Sequence, residues 1–155
     1  LNMKQYNRLV PLTATPTISA AGIYAAGEAV GGLLTFTGAV DGTVLSGTIT
    51  KVVIVDDDNE KSPLELVLFD RTFTATADNA AFDPTDADME NCIGVVFITT
   101  AAYSSFNDNS VATVVDQPLD IVLAGTSLFG QLITRGTPTY TATTDITVTL
   151  VIRQD

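Results

Sequence analysis

The sequence predicts an all-β fold, a single-domain antiparallel β-sandwich or jelly roll of about nine or ten strands, and three observations predict it. Threonine is the signature residue, at 24 of 155 positions, and β-branched side chains at that density favour strands over helices. Apolar residues recur with period two, and no segment carries a sustained i, i+3, i+4, i+7 stripe. Turn chemistry breaks the chain at intervals of about ten residues, the spacing expected of many short strands.

The elements follow in order. Residues 13–18 and 33–37 are the first strand candidates, and Asp41-Gly42 is a tight-turn dipeptide between strands. Residues 48–55 are apolar on both faces, as in a strand covered on two sides. Asp56-Asp57-Asp58-Asn59 then reads as a hairpin loop. Beyond it, Leu64, Leu66 and Leu68 alternate with Glu65, Val67 and Phe69, with Pro63 at the strand start, where a missing N–H costs least. Residues 71–76 are a further strand candidate. Asp83-Pro84-Thr85-Asp86-Ala87-Asp88-Met89 offers a cap, an early proline and early acids, which predicts at most one short helix near 84–90. Strands are expected at 93–98 (apolar on both faces), 111–115, 119–123 after Pro118, and 127–134 between Gly125 and Gly136. The last is the cleanest: Ile146, Val148, Leu150 and Ile152 face inward, against Thr147, Thr149, Val151 and Arg153.

The chain reads as one domain over 18–155, preceded by 1–17 as an N-terminal arm or edge segment. That segment holds Lys4, Arg8, Pro11 and Pro16, the only basic stretch of a chain with net charge −11. As an arm that docks on an assembly partner, its contact candidates are Lys4, Tyr6, Arg8, Leu9 and Val10. The acids are concentrated elsewhere, 11 of 18 lying in residues 56–90. A field of that sign repels phosphate backbones, which excludes nucleic acid as the expected partner. The acidic stretch is expected to be a solvated, aggregation-resistant face. No apolar run approaches the roughly 18 residues of a membrane span, so a soluble chain without membrane contact is expected. Cys92 stands alone and is expected to be a buried, inert thiol.

The chemistry available is narrow. With no histidine in the chain, Ser-His-Asp and Cys-His nucleophilic sites, imidazole proton shuttles and nearly all catalytic zinc sites are removed together. Gly31-Gly32 and Gly42…Gly47 lack the spacings of a phosphate loop. A carboxylate pair for glycoside hydrolysis has the acids it needs but few aromatic platforms, with no Trp and four Tyr. Catalysis is therefore not expected, and no cofactor is implied. Asp56-Asp57-Asp58-Asn59-Glu60 is a dense set of hard oxygen ligands but fails the EF-hand loop pattern, and a solvated loop tip is the expected reading.

One stretch bears a family likeness. Leu64-Glu65-Leu66-Val67-Leu68-Phe69-Asp70, continuing through Phe73…Phe82 to Asp86-Ala87-Asp88, resembles small virion proteins of tailed bacteriophages. So do the preceding Tyr24…Gly31-Gly32 and the later Leu128-Phe129-Gly130 and Thr137-Pro138-Thr139-Tyr140. The likeness runs over residues 20–155 and is weakest in 1–19. It implies a capsid decoration (cement) protein located on the capsid exterior, where it bridges neighbouring major capsid subunits, often as a homotrimer. Weak contacts suffice when many copies bind a repeating lattice. A second reading is a tail-fibre head or adhesin-like module with a receptor surface at Tyr103-Ser104-Ser105-Phe106-Asn107-Asp108-Asn109, and a third is a calcium-assisted carbohydrate-binding module.

Overall fold

The structure, a computed structural model, describes residues 7–155. Ten strands form: β1 (Arg8–Ala14), β2 (Ala29–Phe36), β3 (Ser46–Asp56), β4 (Leu64–Phe69), β5 (Cys92–Ile98), β6 (Tyr103–Ser105), β7 (Ser110–Val114), β8 (Leu119–Val122), β9 (Leu128–Thr134) and β10 (Ile146–Gln154). The one α-helical turn, α1 (Asp86–Met89), is capped by Thr85, whose hydroxyl accepts from the Asp88 N–H. The strands make two antiparallel sheets, one in the order β1-β10-β3-β7-β6 with β8 also on β3, the other β2-β9-β4-β5.

β7 and β8 occupy the same side of β3 in succession: Val52–Asp56 pair with β7 and Ser46–Ile49 with β8. Taken together as one interrupted strand, with the three-residue β6 set aside as an extra edge strand on β7, they reduce the fold to eight strands whose sheets run 1-8-3-6 and 2-7-4-5. That is the order of a jelly roll, so the expected fold class is realised. The order explains one departure from expectation. Residues 56–59 do not close a hairpin, because β3 and β4 lie in different sheets; the segment is an arch carrying the chain across the sandwich.

The core lies between the sheets and follows the alternation. Ile146, Val148, Leu150 and Ile152 are all buried, and they meet Leu64, Leu66 and Leu68 of the facing sheet within one apolar cluster. Tyr24 and Tyr140 meet edge to face at 6.0 Å inside it. At Gly31 a side chain is excluded twice over: φ is +77°, and a Cβ would stand 2.4 Å from that of Pro16.

Other departures are local. The first strand begins at Arg8, not at residue 13, and pairs with β10 along its full length, so Arg8–Ala14 is the edge of the larger sheet. Pro11 is admissible there because an edge strand has one side with no ladder to complete. Residues 71–76 form no strand. The alternation of Phe73 and Ala75 instead packs against Val67, Phe69 and Ile133 on the outer face of the smaller sheet, as the chain folds back over it. Phe69 and Phe73 stack at 3.8 Å. The buried Gln131 of β9 replaces the missing ladder, accepting from the Thr76 N–H at 3.0 Å and donating to the Thr76 carbonyl at 2.6 Å. The three-residue β6 was too short to show a period.

Candidate functional site

Three regions carry chemistry. The first is the arch. Asp56 ends the central strand β3 and is fully buried; its two carboxylate oxygens accept the backbone N–H groups of Asp58 (3.0 Å) and Lys61 (2.8 Å). Burial pushes the Asp56 carboxyl above the usual carboxylate range, against the pull of those N–H groups. Asp58 meets the β9–β10 connection, where Thr141 donates its N–H (2.6 Å) and hydroxyl (2.9 Å) to it. Asp145, from the same connection, accepts from the N–H groups of Thr141 (3.1 Å) and Ala142 (2.7 Å) and shares a hydrogen bond with Asp58. That shared bond holds Asp58 below its ordinary value, while burial and then the same bond raise Asp145. Glu60 accepts from the Thr139 N–H.

The second region is a hub at Asp78. Its carboxylate accepts from the Ser19 hydroxyl, the Tyr24 hydroxyl at 2.6 Å and the Gly31 N–H at 2.6 Å. Burial, and then this bond to a carboxylate, push the Tyr24 phenol up to about 12.

These contacts correct the expectation of a uniformly solvated acidic face. Within 56–90, Asp56 binds backbone of its own arch, Asp58, Glu60 and Asp78 bind segments far apart in sequence, Glu65 and Asp70 pair with Arg135 and Arg71, and Asp88 accepts from the Thr74 N–H. Asp57, Asp83, Asp86 and Glu90 remain exposed. In the stretch Asp56–Glu60 the carboxylates of Asp56, Asp58 and Glu60 accept backbone and hydroxyl donors. Among the described residues no group of three or more acid or thiol side chains is placed to hold a metal. Cys92 is half-buried beside the cluster under the 70–82 fold-back and not fully enclosed as expected.

The third region is the outer face of the larger sheet. The register aligns outward side chains into rows crossing β1, β10, β3 and β7: Thr13–Thr149–Val53–Thr113, and next to it Thr15–Thr147–Val55–Val111. The Thr13 and Thr149 hydroxyls bond at 2.9 Å, those of Thr15 and Thr147 at 3.4 Å. A further row holds Leu9, Arg153, Thr48 and Asp120, with Thr48 donating to Asp120 at 2.8 Å.

Of the predicted contact residues, Lys4 and Tyr6 lie outside the described residues. Arg8 reaches Gln154 across the edge (3.2 Å), Leu9 is 56% exposed on the outer face, and Val10 turns toward the sandwich interior opposite the buried Ile152. In the loop expected to carry receptor contacts, Tyr103 is anchored by a bond to the Ser62 carbonyl (2.9 Å), while Phe106 is 61% exposed at the β6–β7 tip. Burial, and then the charge of Asp56, raise the Tyr103 phenol well above its ordinary value. One surface groove, of about 420 Å³, lies beside Phe97, Val115 and Gln117. There Gln117 clamps the edge of β5, its side-chain amide bonding both the N–H (2.9 Å) and the carbonyl (2.7 Å) of Phe97.

Asp78, Thr141, Asp145 and Gln131 escaped the sequence reading. No protein-family model matches the chain, and no relative emerges among curated proteins.

Proposed function

We propose that this chain is a non-catalytic structural protein of a tailed-phage virion, which binds the outer surface of the capsid and stabilises the shell by bridging major capsid subunits. The observation that carries the reading is how the polar groups are used. Asp58, Glu60 and Asp78 accept bonds that tie one segment of the jelly roll to another, which suits a rigid scaffold, while the buried hydroxyls of Ser110 and Tyr140 find no partner within the chain. Jelly rolls recur in capsid proteins, although fold alone does not assign a role. The resemblance of Leu64–Asp88 to small virion proteins supplies the rest. The test is addition of purified protein to expanded shells that lack it. Co-sedimentation with the shells and a rise in their melting temperature are expected; protein left in the supernatant, with shell melting unchanged, would overturn the reading.

The exposed Phe106 favours the receptor-binding module as second reading. In that case a chain with Asn107–Asn109 deleted loses binding to host cells while its melting temperature holds, and intact binding removes this alternative.

A further inference from the structure

Beneath the arch lie buried polar groups that the ties already described do not use. Asp56, Ser110 and Tyr140 are each 0% exposed, and the Ser110 and Tyr140 hydroxyls bond to nothing in the protein. Buried hydroxyls are nearly always bonded, because taking one out of water without a replacement bond is costly.

Strand register and the arch contacts bring these groups to one end of the sandwich. Asp56 and Ser110 are direct partners across β3 and β7, and both turn inward with their strand neighbours Ile54 and Ala112, which are buried. Side chains so opposed have Cβ atoms about 4.5–5.5 Å apart. Tyr140 sits between Thr139 and Thr141, whose N–H groups bond to Glu60 and Asp58 of the arch. Its ring turns the other way, into the core, where it meets Tyr24. Burial first, and then the Asp56 charge, raise the Tyr140 phenol, so that carboxylate acts on it across the interior. Asp56 also keeps spare acceptor capacity. Its two oxygens take one N–H each, from Asp58 and Lys61, and each carboxylate oxygen has two lone pairs.

We infer that Asp56, Ser110 and Tyr140 enclose a binding site for one water molecule, which accepts from the Tyr140 and Ser110 hydroxyls and donates to the Asp56 carboxylate. Water fits because the group needs a ligand that accepts and donates at once. Three protein partners are the usual number for an internal water, and a polar gap too wide for a direct bond is where one bridges. A metal ion would leave both hydroxyl protons without an acceptor, and among the described residues no three acid or thiol side chains are placed to hold one. The water joins β7 and the β9–β10 connection to the end of the central strand β3.

The test combines a high-resolution crystal structure with the melting temperatures of Tyr140→Phe, Ser110→Ala and the double variant. A density peak about 2.5–3.0 Å from Tyr140 Oη, Ser110 Oγ and an Asp56 Oδ is expected. Each single variant removes one partner of the water and should lower the melting temperature by about 2–4 °C, one hydrogen bond in a chain of this size. The double variant should lose less than the sum, because both hydroxyls act through one molecule. In a dry site the signs reverse, since each substitution then deletes an unpaired buried hydroxyl. A melting temperature that holds or rises in either single variant overturns the inference. So do hydroxyls bonded directly to protein with no peak between them, or a peak with six or more oxygens at about 2.3–2.6 Å, which is a metal ion. The crystal structure of the unsubstituted chain decides the matter even if a variant fails to fold, and none of these readouts depends on shell binding.

Discussion

Removing the Asp78 carboxylate tests how far polar bonding holds this sandwich together. In Asp78→Ala the buried Tyr24 hydroxyl and the buried Gly31 N–H both lose their acceptor, while the half-buried Ser19 hydroxyl can turn to water. Each buried donor left unpaired costs about 1–3 kcal/mol, and bonds to a charged group lie at the upper end. Two such donors give a loss of about 3–5 kcal/mol, a large share of the roughly 5–15 kcal/mol margin of an ordinary domain. At about 2–4 °C per kcal/mol for a chain of this size, the melting temperature should fall by roughly 6–20 °C. Urea unfolding followed by far-UV circular dichroism measures the free energy, and scanning calorimetry the temperature. Asp83→Ala, at an exposed acid of the same stretch, serves as control and should stay within about 0.5 kcal/mol of wild type. If Asp78→Ala also remains within about 1 kcal/mol of wild type, the hub is not structural and the reading of the acids as internal ties fails with it.

Asp145→Asn replaces the carboxyl beside Asp58 with a neutral amide that does not titrate, and the Asn carbonyl can still accept from Thr141 and Ala142. Because the folded carboxyl of Asp145 is raised, its favourable contribution is present at low pH and is lost as pH rises through the folded value; the variant should gain about 1 kcal/mol at pH 7 relative to its standing at pH 4, read from melting temperature against pH. Tyr24, Tyr103 and Tyr140 are all raised by burial first, so their contribution is complete below the ordinary phenol value near 10 and is lost above it. Phenolate absorbance should therefore show these three ionising only together with unfolding, and a reversible titration near pH 10 in folded protein would contradict that. Gln131→Ala releases the backbone of Thr76 and the carbonyl of Gly31, and limited proteolysis should then cut within residues 71–82 at least tenfold faster, as expected for a loss of about 1.4 kcal/mol or more in local stability.

Much of the architecture was legible in one dimension because strand periodicity is local. Ile146, Val148, Leu150 and Ile152 alternate with threonines on one contiguous stretch, so the inward face could be read without a partner strand. The turn at Asp41 and the strand starts after Pro63 and Pro118 were equally readable, since glycine, proline and aspartate constrain backbone at their own positions. Residues 71–76 misled for the same reason: alternation reports a face to be buried, and here the cover is a fold-back fixed by Gln131, fifty-five positions away from Thr76.

By itself, then, the sequence determined an all-β chain without imidazole chemistry, acidic overall and built from about ten short strands, because composition and period-two alternation need only neighbouring residues. The tertiary structure alone decided that Asp56 is sealed in the core, that Asp58 meets Thr141 eighty-three positions on, and that Asp78 holds Tyr24 and Gly31. It also decided that threonines and valines from β1, β10, β3 and β7 align in rows on the outer face of the larger sheet. Each of these depends on which strands become neighbours, and jelly-roll pairing joins segments whose separation along the chain carries no local signal.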